Sequence, residues 1–389
     1  MRNEPLTRTL EHLEALVAIP SVFTASDYVA ITDYCEKILT GAGARCHRVE
    51  SRRTGRAGLF ASMGPGGPGG LMLSGHLDVV PVDGQAWTSD PFTLTRRDGR
   101  AYGRGTTDMK GFVACALALA ERAAGRSLAA PLKFALSFDE EDGCLGIYEM
   151  MPSLAPTIAP PALCLVGEPT GMRLVTGHKG KVSYRLTCHG TAGHSARAPR
   201  HLNAMHLAAD ALALLRAEQD RLASQETRDP AFDVPYTTIH AGILRAGTAL
   251  NIVPDRAELA FEIRHLATTD PDELRDRFQA QLASHLGRLS ESFAPADATL
   301  EETNRYPGLD AAADSPMAAL LTDFGAQFPA GKVDFGTEAG VFAAHGIPTY
   351  VCGPGSMEQG HKADEFIERS QLSLCDAMLD RALDWLATG

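Results

Sequence analysis

Apolar and polar positions follow two rhythms along this chain, and the change falls near residue 180. Before it, short apolar runs alternate with helical patterns. Leu10, Leu13, Leu16 and Val17 recur at helical spacing and mark one apolar face. "GLFASM" and "GLMLSGHLDVV" read as strands flanking "GPGGPGG" at 64–70, a turn or loop. "GFVACALALAERAA" reads as a helix, and "LKFALSFDEE" and "ALCLVGEPT" read as strands that end in acids. This alternation predicts an α/β class domain, a mostly parallel sheet with helices on its faces. Such sheets bind ligands beyond the carboxyl ends of their strands, where His76, Glu140, Glu141 and Glu168 fall.

After residue 180 the texture changes. "KVSYRLTCHG" alternates, a helix follows near 203–217, and "YTTIHAGIL" and "RAELAFEIRHL" read as strands. A helix near 271–286 and a strand near 298–304 complete the set. Strand–helix–strand–strand–helix–strand predicts a ferredoxin-like α+β unit with its helices on one face. From about 308 the α/β texture returns through "GIPTYVCGPGS" and a C-terminal helix from 369. The expected organisation is one domain over 1–179 and 308–389, interrupted by an inserted domain over 180–307.

A length of 389 residues agrees with two domains. A charged fraction of 22% and an apolar fraction of 44% are those of a globular chain. The net charge of -12 argues against nucleic acid as a partner, because phosphate binding wants a basic stripe. No apolar run reaches the length of a membrane span. Glu11 and Glu14 interrupt the N-terminal apolar stretch, so it does not read as a signal peptide. Eight cysteines lie scattered without CxxC pairs and are expected to be reduced and mostly buried, as in a cytoplasmic protein.

Against that frame, five metal-ligand-type residues stand out on widely separated segments: His76, Asp108, Glu141, Glu168 and His361. Two imidazoles and three carboxylates suffice for two divalent cations if one carboxylate bridges. Glu140, adjacent in "SFDEEDG", is then free to take a proton from water. Asp78 follows His76 by two positions and is a candidate to fix its tautomer. Asp108 sits in the glycine-rich "AYGRGTTDMKG", which lacks the ending of a phosphate loop. Each fragment has a bland alternative: a polar strand end, an N-cap, a solvated acid run, a structural histidine. Their order and combination carry the argument.

These segments resemble the M20 metallopeptidase family over essentially the whole chain, from "IPSV" to "HKADEF". The resemblance implies a three-layer catalytic domain like that of the zinc exopeptidases, with an inserted lid and dimerisation domain. It implies one zinc ion on His76, Asp108 and Glu168, a second on Asp108, Glu141 and His361, Glu140 as general acid/base and Asp78 as orienting acid. A non-proline cis bond is implied at Asp108–Met109. Within the inserted domain, "CHGTAGHSARAP" is similar to the segment whose histidine, here His194, completes the active site. Asn251 and Arg264 match positions that bind the substrate carboxylate. The implied assembly is a homodimer in which His194 crosses to the partner's site.

"DFGTEAGVFAAHGIP" and "CGPGSMEQGHKADEF" look most like the family's acetylornithine deacetylases, so the expected substrate is a small N-acyl amino acid, N2-acetyl-L-ornithine in arginine biosynthesis. Glu338 is a candidate for the ornithine ammonium; alternatively Thr337 caps a helix and Glu338 sits in its first turn. Cobalt and manganese stand as alternatives to zinc. The alternatives in function are another hydrolase of the family, such as a succinyl-diaminopimelate desuccinylase, an aminoacylase or a glutamate carboxypeptidase, and a metal-free binding relative.

Overall fold

The computed structural model describes residues 4–25, 28–291, 293 and 296–388, and the chain divides into two compact units. The first runs to Gly177 and resumes over Leu309–Lys332 and from Thr337; the second comprises His178–Gly308 and Val333–Gly336.

In the first unit, nine strands form one sheet among the described residues. Its centre is parallel: Leu132–Ser137, Leu71–His76, Leu163–Pro169 and Thr349–Gly353 lie side by side. Every residue of these four strands is buried, which requires cover on both faces of the sheet. The flanks depart from the mostly parallel expectation. Ala57–Met63 runs antiparallel to Leu132–Ser137, and Arg45–Glu50 pairs antiparallel with Ala57–Met63. Arg45–Glu50 returns through the short loop at 51–56, and a loop of that length joins antiparallel neighbours only. The helix Lys110–Ala123 packs on the central strands and is itself covered by the helices Glu4–Val17 and Arg369–Thr388. Leu13, Leu16 and Val17, on the face read from the sequence, are fully buried.

The second unit is a four-stranded antiparallel sheet. Numbered along the chain, its strands Gly180–His189, Thr238–Ala246, Arg256–His265 and Asp297–Tyr306 lie in the order second, third, first, fourth. That is the ferredoxin-like order. Burial alternates along Gly180–His189 and Arg256–His265, so one face carries the core. The helices Ala204–Gln225 and Pro271–Ser290 close that face, with Phe261 between Tyr184 and Phe278 at ring separations of 5.3 and 5.5 Å. Asp270 and Asn203 cap the two helices through their side chains.

The second unit starts two residues earlier and ends one residue later than the sequence reading, at His178 and Gly308, and it gains a further segment. Val333–Gly336 belongs to the second unit, because Asp334 pairs with the buried Lys179 at 2.9 Å and Gly336 fits against the Tyr306 ring. No described helix is long and apolar enough to cross a membrane.

Candidate metal centre

His76, Asp108, Glu140, Glu141, Glu168 and His361 all lie in the first unit, on five separate segments. His76 is the last residue of its strand, in register with Ser137, so the turn carrying Glu140 and Glu141 begins at the same end of the sheet. Glu168 lies at the carboxyl end of the next strand. Asp108 precedes the helix Lys110–Ala123 and is joined to Met109 by a cis peptide bond, as the family resemblance implies. That helix can press onto the Glu168 strand because position 167 is glycine: a Cβ there would fall 2.0 Å from the Phe112 ring. His361 stands in a loop with a positive φ of 59°.

The side chains converge on Asp108. Its Oδ1 lies 3.0 Å from His76 Nε2 and its Oδ2 lies 3.0 Å from His361 Nε2. One carboxylate thus turns one oxygen to each imidazole, the arrangement a bridging ligand needs. Glu168 Oε1 is 3.9 Å from His76 Nε2, and Glu141 Oε2 is 3.2 Å from His361 Nε2. Two trios result, His76–Asp108–Glu168 and Asp108–Glu141–His361, each with ligand atoms within 4.8 Å of one another. They share Asp108.

The electrostatics show a site short of positive charge. Burial opposes a proton on His76, but Asp108, Glu168 and Asp78 outweigh it and hold its pKa well above the usual value. Hydrogen bonds donated to Asp108 and Glu141 push His361 up to about 10. Asp108 is held well below the carboxylate range by both imidazoles, against the upward push of burial. Even so, burial pushes Glu140 up to about 8 despite His76, with neighbouring carboxylates adding to the rise. Glu141 rises to about 7 through burial and Asp108. Glu168 is raised well above its ordinary value by burial and then by Asp108. Acids so crowded and dehydrated fit two divalent cations, which would compensate all of them at once. Imidazole and carboxylate donors suit zinc, and also cobalt or manganese.

Asp78 plays a part other than the one expected from its spacing. The chain leaves the strand after His76, and His76 Nδ1 meets the Asp78 main-chain carbonyl at 2.9 Å, while the carboxylate lies at 3.6 Å. The carboxylate instead accepts the backbone N–H groups of Glu140 and Glu141, at 3.1 and 3.0 Å. It holds the turn that presents the candidate base Glu140 and the candidate ligand Glu141.

Glu338 is 1% exposed and accepts hydrogen bonds from Ser74 Oγ at 2.5 Å and Ser137 Oγ at 2.7 Å. Its carboxylate ties the sheet to the helix Ala339–Ala344 and is not offered to a ligand from solvent. Thr337 accepts the Ala339 N–H at 3.0 Å and caps that helix.

His194, Asn251 and Arg264 lie in the second unit. His194 is exposed and pairs with Ile252 in a two-residue strand, while Ser195 N–H donates to the Asn251 carbonyl at 3.0 Å. His194 and Asn251 therefore sit together. Arg264 does not join them. It lies toward the opposite end of the strand Arg256–His265, opposite Lys181, where its guanidinium meets Glu262 at 2.9 Å and the Tyr306 hydroxyl at 3.4 Å. Eight residues of antiparallel strand separate Arg256 from Arg264, a span of about 27 Å.

Three groups escaped the sequence reading. Asp139, at a φ of 54°, accepts hydrogen bonds from Tyr28 and the buried Arg56 directly before Glu140. Arg104 and Glu365 form a fully buried pair beneath Asp108. The signal for the last two lay in "GRGTTD" and "HKADEF", where a charged residue stands close to a ligand inside an otherwise tightly turned segment.

A model of peptidase family M20/M25/M40 matches residues 72–385. The chain belongs to this family. It is therefore a hydrolase acting on amide bonds. An acetylornithine deacetylase of Proteus mirabilis (strain HI4320) is 33% identical over 94% of this chain and 93% of its own length. Another from Photorhabdus laumondii is 33% identical over 85% of this chain and 83% of its own. Among solved structures, an M20 family metallo-carboxypeptidase of Sulfolobus solfataricus superposes with a TM-score of 0.78 at 17% identity, covering 97% of this chain and 99% of that one. The dinuclear metal-binding M20 peptidase of Bacillus subtilis superposes with a TM-score of 0.67 at 14% identity, covering all of both chains. Both share the fold.

Proposed function

We propose that this M20 family hydrolase uses two metal ions, zinc with cobalt as alternative, to remove the acetyl group from N2-acetyl-L-ornithine, giving acetate and L-ornithine for arginine biosynthesis. The observation that carries the two-ion reading is Asp108, which turns Oδ1 to His76 and Oδ2 to His361 at 3.0 Å each. The dinuclear Bacillus subtilis neighbour supports it. The acetylornithine deacetylases that are 33% identical to this chain support the substrate.

When bound, the ions supply Lewis acidity, easing deprotonation of a water and polarising the scissile carbonyl. The chain's own residues do the rest. Glu140 is not needed as a ligand in either trio and takes the proton from the attacking water, then returns it to the departing amine. Asp78 keeps Glu140 in place through its backbone N–H. Arg264 offers a planar fork for the α-carboxylate, and His194 donates to the oxygen on which charge develops.

The separation of Arg264 from His194 and Asn251 supports a homodimer. Arg264 lies about 27 Å along its strand from Arg256, whereas Asn251 precedes Arg256 in the chain and sits beside His194, which favours the two groups meeting different substrates. In this proposal His194 serves the partner's site. The strand Thr238–Ala246 pairs on one side only among the described residues and exposes Ile243 and Leu244 at 47% and 45%. An open apolar edge of this kind supports pairing with a second copy.

The test is a panel of N-acetyl and N-succinyl amino acids assayed for released amine with the metal-loaded protein. Acetylornithine should show the highest kcat/KM. Preference for a succinylated or neutral substrate removes the substrate assignment, and no release from any member favours the binding relative.

A further inference from the structure

His361 is the ligand with the least support from regular structure. Its side chain is 43% exposed, against 5% for Asp108 and 7% for Glu141. Its backbone is left-handed, a conformation that costs a non-glycine residue energy and persists only where the surroundings hold it. The groups that hold it form one connected cluster. Gln85 Nε2 donates to the His361 carbonyl at 3.1 Å, and Arg104 Nη1 donates to the Lys362 carbonyl at 3.4 Å. Arg104 Nη2 donates to Gln85 Oε1 at 2.6 Å, and its guanidinium lies over the Trp87 ring.

The same loop reaches back to Asp108. Glu365 is 1% exposed and accepts four donors. Oε1 takes the backbone N–H groups of Thr107 and Asp108 at 2.9 and 3.1 Å. Oε2 takes the Gly105 N–H at 2.9 Å and Arg104 Nη1 at 2.7 Å. A buried ion pair is a poor source of stability by itself, since dehydrating both charges offsets most of their attraction. Here each partner is used up on backbone groups flanking two ligands of the same trio. The cluster sets the distance between the His361 loop and the Asp108 turn.

We propose that Glu365, Arg104 and Gln85 are positioning residues that set the affinity for the second ion, the one assigned to Asp108, Glu141 and His361. The proposal rests on the two-ion reading. None of the three touches the ion or the substrate; each acts through a ligand's backbone. A lysine in place of Arg104 cannot replace it, because one ammonium lacks the fork that joins Glu365, Lys362 and Gln85.

The experiment titrates Co2+ into wild type, Gln85→Ala and Glu365→Gln freed of metal, following cobalt absorption to separate the two ions. Gln85 is half-buried, and its loss spares the core, so Gln85→Ala should unfold close to the wild-type temperature. In that variant the second ion should bind about 10- to 100-fold more weakly, the range for losing a group that orients a ligand, while the first ion keeps its affinity. Glu365→Gln should weaken both ions, the second more, because Asp108 is shared. Unchanged second-ion affinity in both variants, or equal losses for both ions in Gln85→Ala, would overturn the proposal. A wild-type protein that takes up fewer than two ions overturns it together with the two-ion reading. If Glu365→Gln does not fold, the Gln85→Ala titration decides.

Discussion

The Asp78 carboxylate accepts the Glu140 backbone N–H at 3.1 Å, so the candidate base is fixed by its main chain while its carboxylate takes only a hydrogen bond from the Cys144 thiol, at 3.3 Å. Glu140 belongs to neither ligand trio. Glu140→Gln should therefore retain both ions and lose about 100- to 10,000-fold in turnover, the usual worth of a positioned proton carrier. Metal content and kcat measured on the same preparation check this. Near wild-type turnover would remove Glu140 from the mechanism.

Arg264 is expected to bind the substrate carboxylate in ground and transition states alike. Arg264→Ala should raise KM about 10- to 100-fold, as loss of a charge-assisted hydrogen-bonded pair does, and leave kcat nearly unchanged. Steady-state kinetics separate the two parameters. Loss confined to kcat would argue that Arg264 acts on the reacting atoms.

Glu338 is committed to Ser74 and Ser137, and the amide in Glu338→Gln can still accept from one of them. Selectivity for acetylornithine over acetylmethionine should stay level in that variant. Glu338→Ala takes the acceptor from the buried Ser137 hydroxyl and leaves Ser74 with the Ala135 carbonyl at 3.3 Å, and should destabilise the fold by about 1–3 kcal/mol, read by thermal unfolding. A selective loss on acetylornithine in Glu338→Gln would return Glu338 to the substrate.

Much of this was legible in the sequence because strands and helices write their period into it. The ferredoxin-like unit follows from alternation in Gly180–His189 and Arg256–His265, each with one face against two helices. The candidate ligands were legible because parallel strands end where ligands bind, and His76 and Glu168 stand at such ends. What stayed hidden depends on contacts between distant segments. Asp78 lies two residues beyond His76, yet its carboxylate serves a turn 62 residues away. Glu365 sits among charged and polar neighbours and reads as solvated, yet it is buried on the backbone of Asp108. Val333–Gly336 has the texture of the flanking α/β segment, and the Lys179–Asp334 pair and the fit of Gly336 against Tyr306 show which unit holds it.

Sharing of residues across a dimer is tested by mixing two inactive chains, His194→Ala and Glu140→Ala, under conditions of subunit exchange. In a hybrid, one site combines an intact Glu140 with the partner's His194, so activity should return. Hybrids shown to form and still inactive would place His194 outside the partner's site.

The two-ion centre built on Asp108 is tested most directly by counting ions at equilibrium, by calorimetric titration of zinc into metal-free protein. Wild type should take up two per chain. His361→Ala should keep the ion held by His76, Asp108 and Glu168 and lose the other, and Asp108→Ala should weaken both. A single ion in wild type, or two undiminished ions in Asp108→Ala, would contradict the shared-aspartate centre.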